Sequence, residues 1–299
     1  MNYNQLGNSG LRISEVSFGC MSLTSSEQKT AIDLLYKALD RGINFFDTAD
    51  LYEKGENEVM VGKAFKGMRD KVIIATKVGN QWRPDGSGWG WNPTKSYILQ
   101  AVEESLRRLQ TDYIDLYQLH GGTIEDPIDE TIEAFELLKQ QGKIRAYGIS
   151  SIRPNVIREY VNRAAIVSVM MQYSLLDRRP EETVLDLLHE HNISVLARGS
   201  LAQGLLAGKP AKPYLNYSLE EVDKAAAAVQ AVAGANRKPA EVAVRFALHH
   251  PAVSSAVLGI RTEEQLQDAL LAASTAPLPN SEVEHLKAVL PANKYEQHR

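Results

Sequence analysis

Short apolar runs alternate with stripes at helical spacing along this chain, and that alternation restricts its fold more than any other feature. The runs fall at 16–18, 43–46, 72–75, 114–119, 144–149, 166–171, 193–197 and 253–258. They are rich in β-branched and aromatic side chains, as strands buried on both faces are. Between them lie helix faces such as Ile98, Val102, Leu106 and Leu109, or Ile128, Ile132, Phe135 and Leu138. Eight such units predict an α/β fold with a parallel sheet covered by helices, and they fit a (β/α)8 TIM barrel. A doubly wound open sheet is the alternative. It usually opens with a Gly-x-Gly-x-x-Gly turn after its first strand, and none is present. No change of composition marks a boundary, so 1–299 reads as a single domain. The stretch 2–14, with its Asn8-Ser9-Gly10 turn, reads as an N-terminal β-hairpin. Residues 78–93 and 199–217 read as long loops at the barrel mouth. Additional C-terminal helices follow over about 219–234, 239–249 and the Val283, Leu286, Leu290 stripe, and 291–299 reads as a polar tail.

Function classes can be excluded on charge and residue counts. The formal net charge is −4, whereas broad nucleic-acid binding needs a basic face. A single cysteine, Cys20, rules out an intrachain disulfide or a multi-Cys zinc site. No apolar run approaches the ~20 residues of a membrane span. The N-terminus lacks a basic-then-apolar signal, so the expectation is a soluble, cytoplasmic monomer without membrane or nucleic-acid partners.

The chemistry lies at the ends of the apolar runs, which in a (β/α)8 barrel converge on one mouth. Asp47, Lys77, His120, Ser150, Ser151, Gln172, Arg198, Ser200 and Arg261 occupy those positions. Asp47 alone reads equally as a turn former and Tyr52 as a rim aromatic. Taken with Lys77 and His120, they make sense as a proton-donating device. A free phenol has a pKa near ~10 and is a poor acid at neutral pH. A nearby ammonium is expected to lower it, and a paired carboxylate to hold that ammonium in place. A neutral His can orient a carbonyl. The hydride must then come from a cofactor, because no side chain supplies one. A metal-dependent barrel hydrolase is disfavoured, since no strand end offers His-x-His or several His, and no metal site is expected.

At this point the chain resembles the aldo-keto reductase superfamily over nearly its whole length. The resemblance is carried by LGNSGLRISEVSFG, GINFFDTADLY, ATK, SLRRLQTDYIDLYQLH, IRAYGISS, MMQYSLLDR, ARGSLAQGLLAGK and VLGIRTEEQL. It implies a barrel that binds a nicotinamide cofactor without a Rossmann domain and interconverts carbonyls and alcohols. It also implies that Asp47, Tyr52, Lys77 and His120 form the catalytic tetrad. By the same resemblance Ser150 and Gln172 match contacts to the nicotinamide carboxamide. Ser200, Leu201, Gln203 and Gly204 match the loop over the pyrophosphate. Gly259, Arg261, Thr262 and Gln265 match the surroundings of the adenosine 2′-phosphate. Gly19, Cys20, Met21, Asp47, Ser151, Tyr173, Arg198 and Gly199 complete the implied cofactor set. An Arg with hydroxyl and backbone donors at a strand-to-helix junction suits an anion, so NADPH/NADP+ is expected over NADH; a solvated helix-start charge is the plain reading of Arg261.

Three departures from the family pattern stand out. Ser151 replaces a usual Asn. Arg198 replaces a usual stacking aromatic, and its guanidinium would repel an oxidised nicotinamide. Ala269 and Leu258 replace a usual adenine-contacting Asn and a usual Pro. All three Trp residues, Trp82, Trp89 and Trp91, follow Lys77 in the 78–93 loop. They read as a substrate wall beside Tyr52 and His120, or as a loop folded on its own aromatics. Cys20 and Met21 are expected to line the pocket floor. The expected activity is reduction of a small-molecule carbonyl by NADPH. The alternative is an NADP(H)-binding redox-sensor subunit with little turnover.

Overall fold

The computed structural model describes residues 1–299. Its centre is a closed barrel of eight parallel strands: β3 (Val16–Gly19), β4 (Phe45–Asp47), β5 (Ile73–Val78), β8 (Ile114–Leu119), β9 (Ile144–Ser150), β10 (Ser168–Gln172), β11 (Ser194–Arg198) and β12 (Val253–Gly259). The (β/α)8 expectation therefore holds, and the open-sheet alternative does not. The barrel closes because β12 pairs with β3, placing Gly259 beside Gly19. Helices α1 (Gln28–Asp40), α2 (Glu56–Phe65), α3 (Lys95–Leu109), α4 (Ile128–Gln140), α5 (Pro154–Arg163) and α6 (Val184–Glu190) cover the outside. They are joined there by α7 (Leu219–Ala233), α8 (Pro239–Ala247), α9 (Glu263–Ser274) and α10 (Asn280–Val289).

Strands sealed on both faces create two apolar layers. The larger, of 75 buried residues, lies between strands and helices. The smaller fills the barrel interior with Phe45, Ala75, Leu116, Ala146, Met170, Leu196 and Val257, among others. Leu6 and Ile13 complete this inner layer, so the N-terminal hairpin acts as a plug. The hairpin pairs β1 (Tyr3–Gln5) with β2 (Arg12–Ser14). Gly7 lets it sit close: with φ +48°, a Cβ there would lie 2.3 Å from the Val167 carbonyl oxygen. The core is thereby sealed at the end opposite the mouth.

Two segments differ from expectation. The 78–93 stretch is an antiparallel ribbon rather than a plain loop: β6 (Asn80–Trp82) pairs with β7 (Trp89–Trp91), and Trp82 faces Trp89. Gly86 and Gly88, at φ +75° and +122°, lie in the turn between its strands. The 291–299 stretch docks instead of trailing. The Asn293 side-chain oxygen accepts from Arg178 N–H at 2.9 Å, and Tyr295 is buried against Arg179. One amide satisfying several backbone groups anchors a polar segment that periodicity could not place.

Candidate active site

Parallel pairing brings the strand-end residues side by side. Gly19 pairs with Asp47 across β3 and β4, Lys77 with Gln118 across β5 and β8, and Gln172 with Arg198 across β10 and β11. Tyr52 stands on a short helical turn after β4. The geometry of the mouth follows from these positions.

The Lys77 ammonium is the hub. It donates to Asp47 Oδ2 at 2.6 Å, to the Thr48 carbonyl at 2.7 Å and to the Tyr52 hydroxyl at 3.2 Å. Gln118 Nε2 reaches the other Asp47 oxygen at 3.5 Å. The His120 ring meets the Tyr52 ring edge-on, with centroids 5.9 Å apart. Lys77 and Asp47 are both buried. Burial alone would push Lys77 down, but the Asp47 carboxylate and the Tyr52 oxygen outweigh it and hold the ammonium charged.

Tyr52 departs from the sequence expectation. Burial raises its pKa, and the Asp47 charge adds to that rise; the pull of Lys77 and Arg198 does not reverse it. The phenol is therefore held as a neutral hydrogen-bond donor. His120 is driven the other way, down to about 3, by burial and then by the positive charges of Lys77 and Arg198. Its imidazole is neutral, and its buried Nδ1 has no partner. A protonated phenol and a neutral imidazole, with ring centres 5.9 Å apart and the phenol held by a fixed ammonium, can donate to one carbonyl oxygen.

The remaining residues divide. Ser200 is fully buried and its Oγ has no hydrogen-bond partner. Gly199, Ala202, Gln203 and Gly204 have φ of +72°, +46°, +61° and +94°, so the loop after β11 is held in left-handed turns. Lys209 and Lys212 pin Gln203 at 3.0 and 3.1 Å, and half-buried Leu201 precedes this knot. Arg261 is exposed at the start of α9; its N–H donates to Gln265, while Thr262 caps the helix by accepting from Gln265 N–H. Ser150 and Gln172 end their strands partly exposed, whereas Ser151 is buried and accepts from Arg153 N–H at 3.2 Å. Arg198 is exposed at the mouth, and its charge reaches Asp47, Tyr52 and His120.

Some expected lining residues lie elsewhere. Tyr173 is buried, donates to Glu181 at 2.8 Å and packs by Phe246, so only its backbone is at the mouth. Cys20 is buried and its carbonyl accepts from Asn57, whereas Met21 is 67% exposed on the rim rather than on the floor. Trp91 donates to Asp126 at 2.9 Å, Trp82 lies under Lys54 with its Nε1 unpartnered, and Trp89 is half exposed. Sequence reading missed Thr48, Gln118 and Asp126. Gln118 had a signal, since it is a polar residue inside an apolar run. The Thr48 carbonyl had none, because any residue carries one.

Comparison with known proteins agrees with this geometry. Residues 15–291 match the Aldo/keto reductase family. The chain is 51% identical over 308 aligned residues to "Uncharacterized oxidoreductase YqkF" of Bacillus subtilis (strain 168), covering 100% of both. It is 33% identical to the "NADH-specific methylglyoxal reductase" of Escherichia coli (strain K12), over 70% of each chain. The holo form of aldo-keto reductase AKR11C1 from Bacillus halodurans superposes with a TM-score of 0.95 at 51% identity, covering 100% of this chain and 99% of that one. Its apo form gives a TM-score of 0.86 at 48% identity, with the same coverage. A closed eight-strand barrel, a carboxylate, ammonium, phenol and imidazole gathered at its mouth, and these matches place the chain in the aldo/keto reductase family of oxidoreductases.

Proposed function

We propose that this protein reduces the carbonyl of an aldehyde or ketone to an alcohol with NADPH, and that Tyr52 is the general acid. The observation that carries the reading is the Tyr52 hydroxyl, neutral yet 3.2 Å from a buried ammonium. Reduction builds negative charge on the carbonyl oxygen, and a positioned donor can neutralise it in step. A bound reduced nicotinamide supplies the hydride. Tyr52 holds the proton that the oxygen receives. Lys77 stabilises the phenolate left behind, Asp47 keeps Lys77 charged, and neutral His120 orients the carbonyl.

The mouth also fits the nicotinamide cofactor. Ser200 offers a buried, unpartnered hydroxyl, and Arg261 an exposed guanidinium at a helix start. Arg261 favours NADPH, although a relative is named for NADH, so the preference belongs to individual members.

The test is NADPH oxidation against aldehydes, ketones and sugars. Turnover of at least one class, lost in Tyr52→Phe, is the expected result. Tight NADPH binding with no turnover on any of them would overturn the reading in favour of a redox sensor.

A further inference from the structure

His120 is followed by Gly121 and Gly122, at φ +142° and +126°. Two glycines in succession leave a backbone with little stiffness of its own, yet the imidazole must be held to fractions of an ångström. The His120 backbone, which carries the ring, is held from β5 and from the β6–β7 ribbon. Its N–H donates to the Val78 carbonyl at the end of β5 at 2.7 Å, and its carbonyl accepts from Asn80 Nδ2 of the ribbon at 3.1 Å. The Trp91 ring lies against both hinges of this arrangement. A Cβ at Gly79 would lie 2.6 Å from it and one at Gly121 3.3 Å, so the ring fills the space beside both. Its Nε1 donates to Asp126 Oδ1 at 2.9 Å. Asp126 in turn accepts from Thr123 N–H at 2.7 Å and from the Thr123 hydroxyl at 2.8 Å, just past the glycines.

The other end of the ribbon grips the turn that carries Tyr52. Lys54 Nζ stands 5.2 Å from the centre of the Trp82 ring. It belongs to a left-handed turn, with φ +48° at Glu53 and +56° at Lys54. One ribbon thus touches both segments whose side chains meet edge-on at 5.9 Å.

We infer that the Asn80–Trp82/Trp89–Trp91 ribbon is a clamp that sets the relation of His120 to Tyr52, with Trp91 and Asp126 as positioning residues. The inference rests on the tetrad reading above. It separates Trp91 from a substrate wall: a wall discriminates among substrates, whereas a clamp affects every carbonyl alike. Misplacing an orienting group by about 1 Å can cost on the order of 100-fold in rate.

The experiment uses Trp91→Phe, which keeps an aromatic side chain but removes both the indole N–H and the ring atoms beside Gly79 and Gly121, and Asp126→Asn, which leaves the indole untouched. Both are compared with wild type in thermal unfolding, in kinetics on three carbonyls of different size, and by 15N NMR of the His120 ring without cofactor. Expected is a fall in kcat of about 10- to 100-fold, by a similar factor for all three substrates, with KM and NADPH affinity changed less than about threefold. The His120 signal should broaden or shift in both variants. Their combination should cost little beyond the worse single change, as residues of one network do. Wild-type kcat with an unaltered His120 signal in a folded Trp91→Phe protein would overturn the clamp. So would changes confined to the KM of one substrate. Should Trp91→Phe fail to fold, Asp126→Asn carries the same two readouts. Failure of the tetrad reading shows separately, as near wild-type turnover in Tyr52→Phe, and the NMR result then still decides whether the ribbon holds the His120 ring.

Discussion

The Lys77 ammonium lies 3.2 Å from the Tyr52 hydroxyl, and the phenol nevertheless stays protonated. Burial of Tyr52 outweighs the ammonium, whose charge is already engaged 2.6 Å away by Asp47. In the proposed reaction Lys77 would therefore act chiefly when the proton leaves, by stabilising the phenolate, rather than by ionising Tyr52 beforehand.

Tyr52→Phe keeps the ring and removes the proton. Turnover should fall at least ~100-fold, the low end for general acid catalysis, while NADPH affinity, read by fluorescence titration, stays within about threefold of wild type on the same grounds. A Tyr52→Phe enzyme reducing a good substrate at near wild-type rate would refute the mechanism.

Lys77→Met should be severe in two ways. It removes the stabiliser of the phenolate, and it leaves the Asp47 carboxylate buried without its cation. Breaking a buried pair from one side costs about 3–5 kcal/mol, to be read as a fall in denaturant midpoint at unchanged slope. Asp47→Asn combined with Lys77→Met should recover part of that stability but none of the activity.

The His120 imidazole should not titrate near neutrality. Its folded pKa of about 3 lies below the ordinary 6.5, so at pH between these values the unfolded chain binds the extra proton. Its contribution to stability is thus present above pH ~6.5 and is lost as pH falls toward ~3. The ring resonances of His120 should stay constant from pH 8 to pH 5, and kcat/KM should show no limb assignable to it. A midpoint near 6.5 for that ring would contradict the assignment.

Arg261 is exposed, and its own backbone N–H is taken by Gln265. In the proposed reading its guanidinium would meet the cofactor's 2′-phosphate. Arg261→Ala should raise the Kd for NADPH by roughly tenfold or more, about the loss of one charge-assisted hydrogen bond, and barely change that for NADH. Equal losses for both cofactors would remove Arg261 from the phosphate site.

Much of this was written in residue order alone. Eight apolar runs separated by helical stripes dictate a parallel sheet wrapped by helices, because strands hidden on both faces carry few polar residues away from their ends, Asp115 and Gln118 being buried exceptions. Asp47, Lys77 and His120 stood at those ends, and the fold does no more than bring the ends together. Three other matters waited for tertiary structure. The net pKa of Tyr52 depends on a balance of burial against two opposite charges, and spacing along a chain measures neither. The division of Trp82, Trp89 and Trp91 into different tasks depends on which partner each finds across the ribbon, and Asp126 is 35 residues from Trp91. The docking of Asn293 turns on hydrogen bonds to the distant Arg178 N–H and Leu176 carbonyl, and that of Tyr295 on the Arg179 guanidinium over its ring. Periodicity reports which face of an element is buried; it carries no record of what that face is buried against.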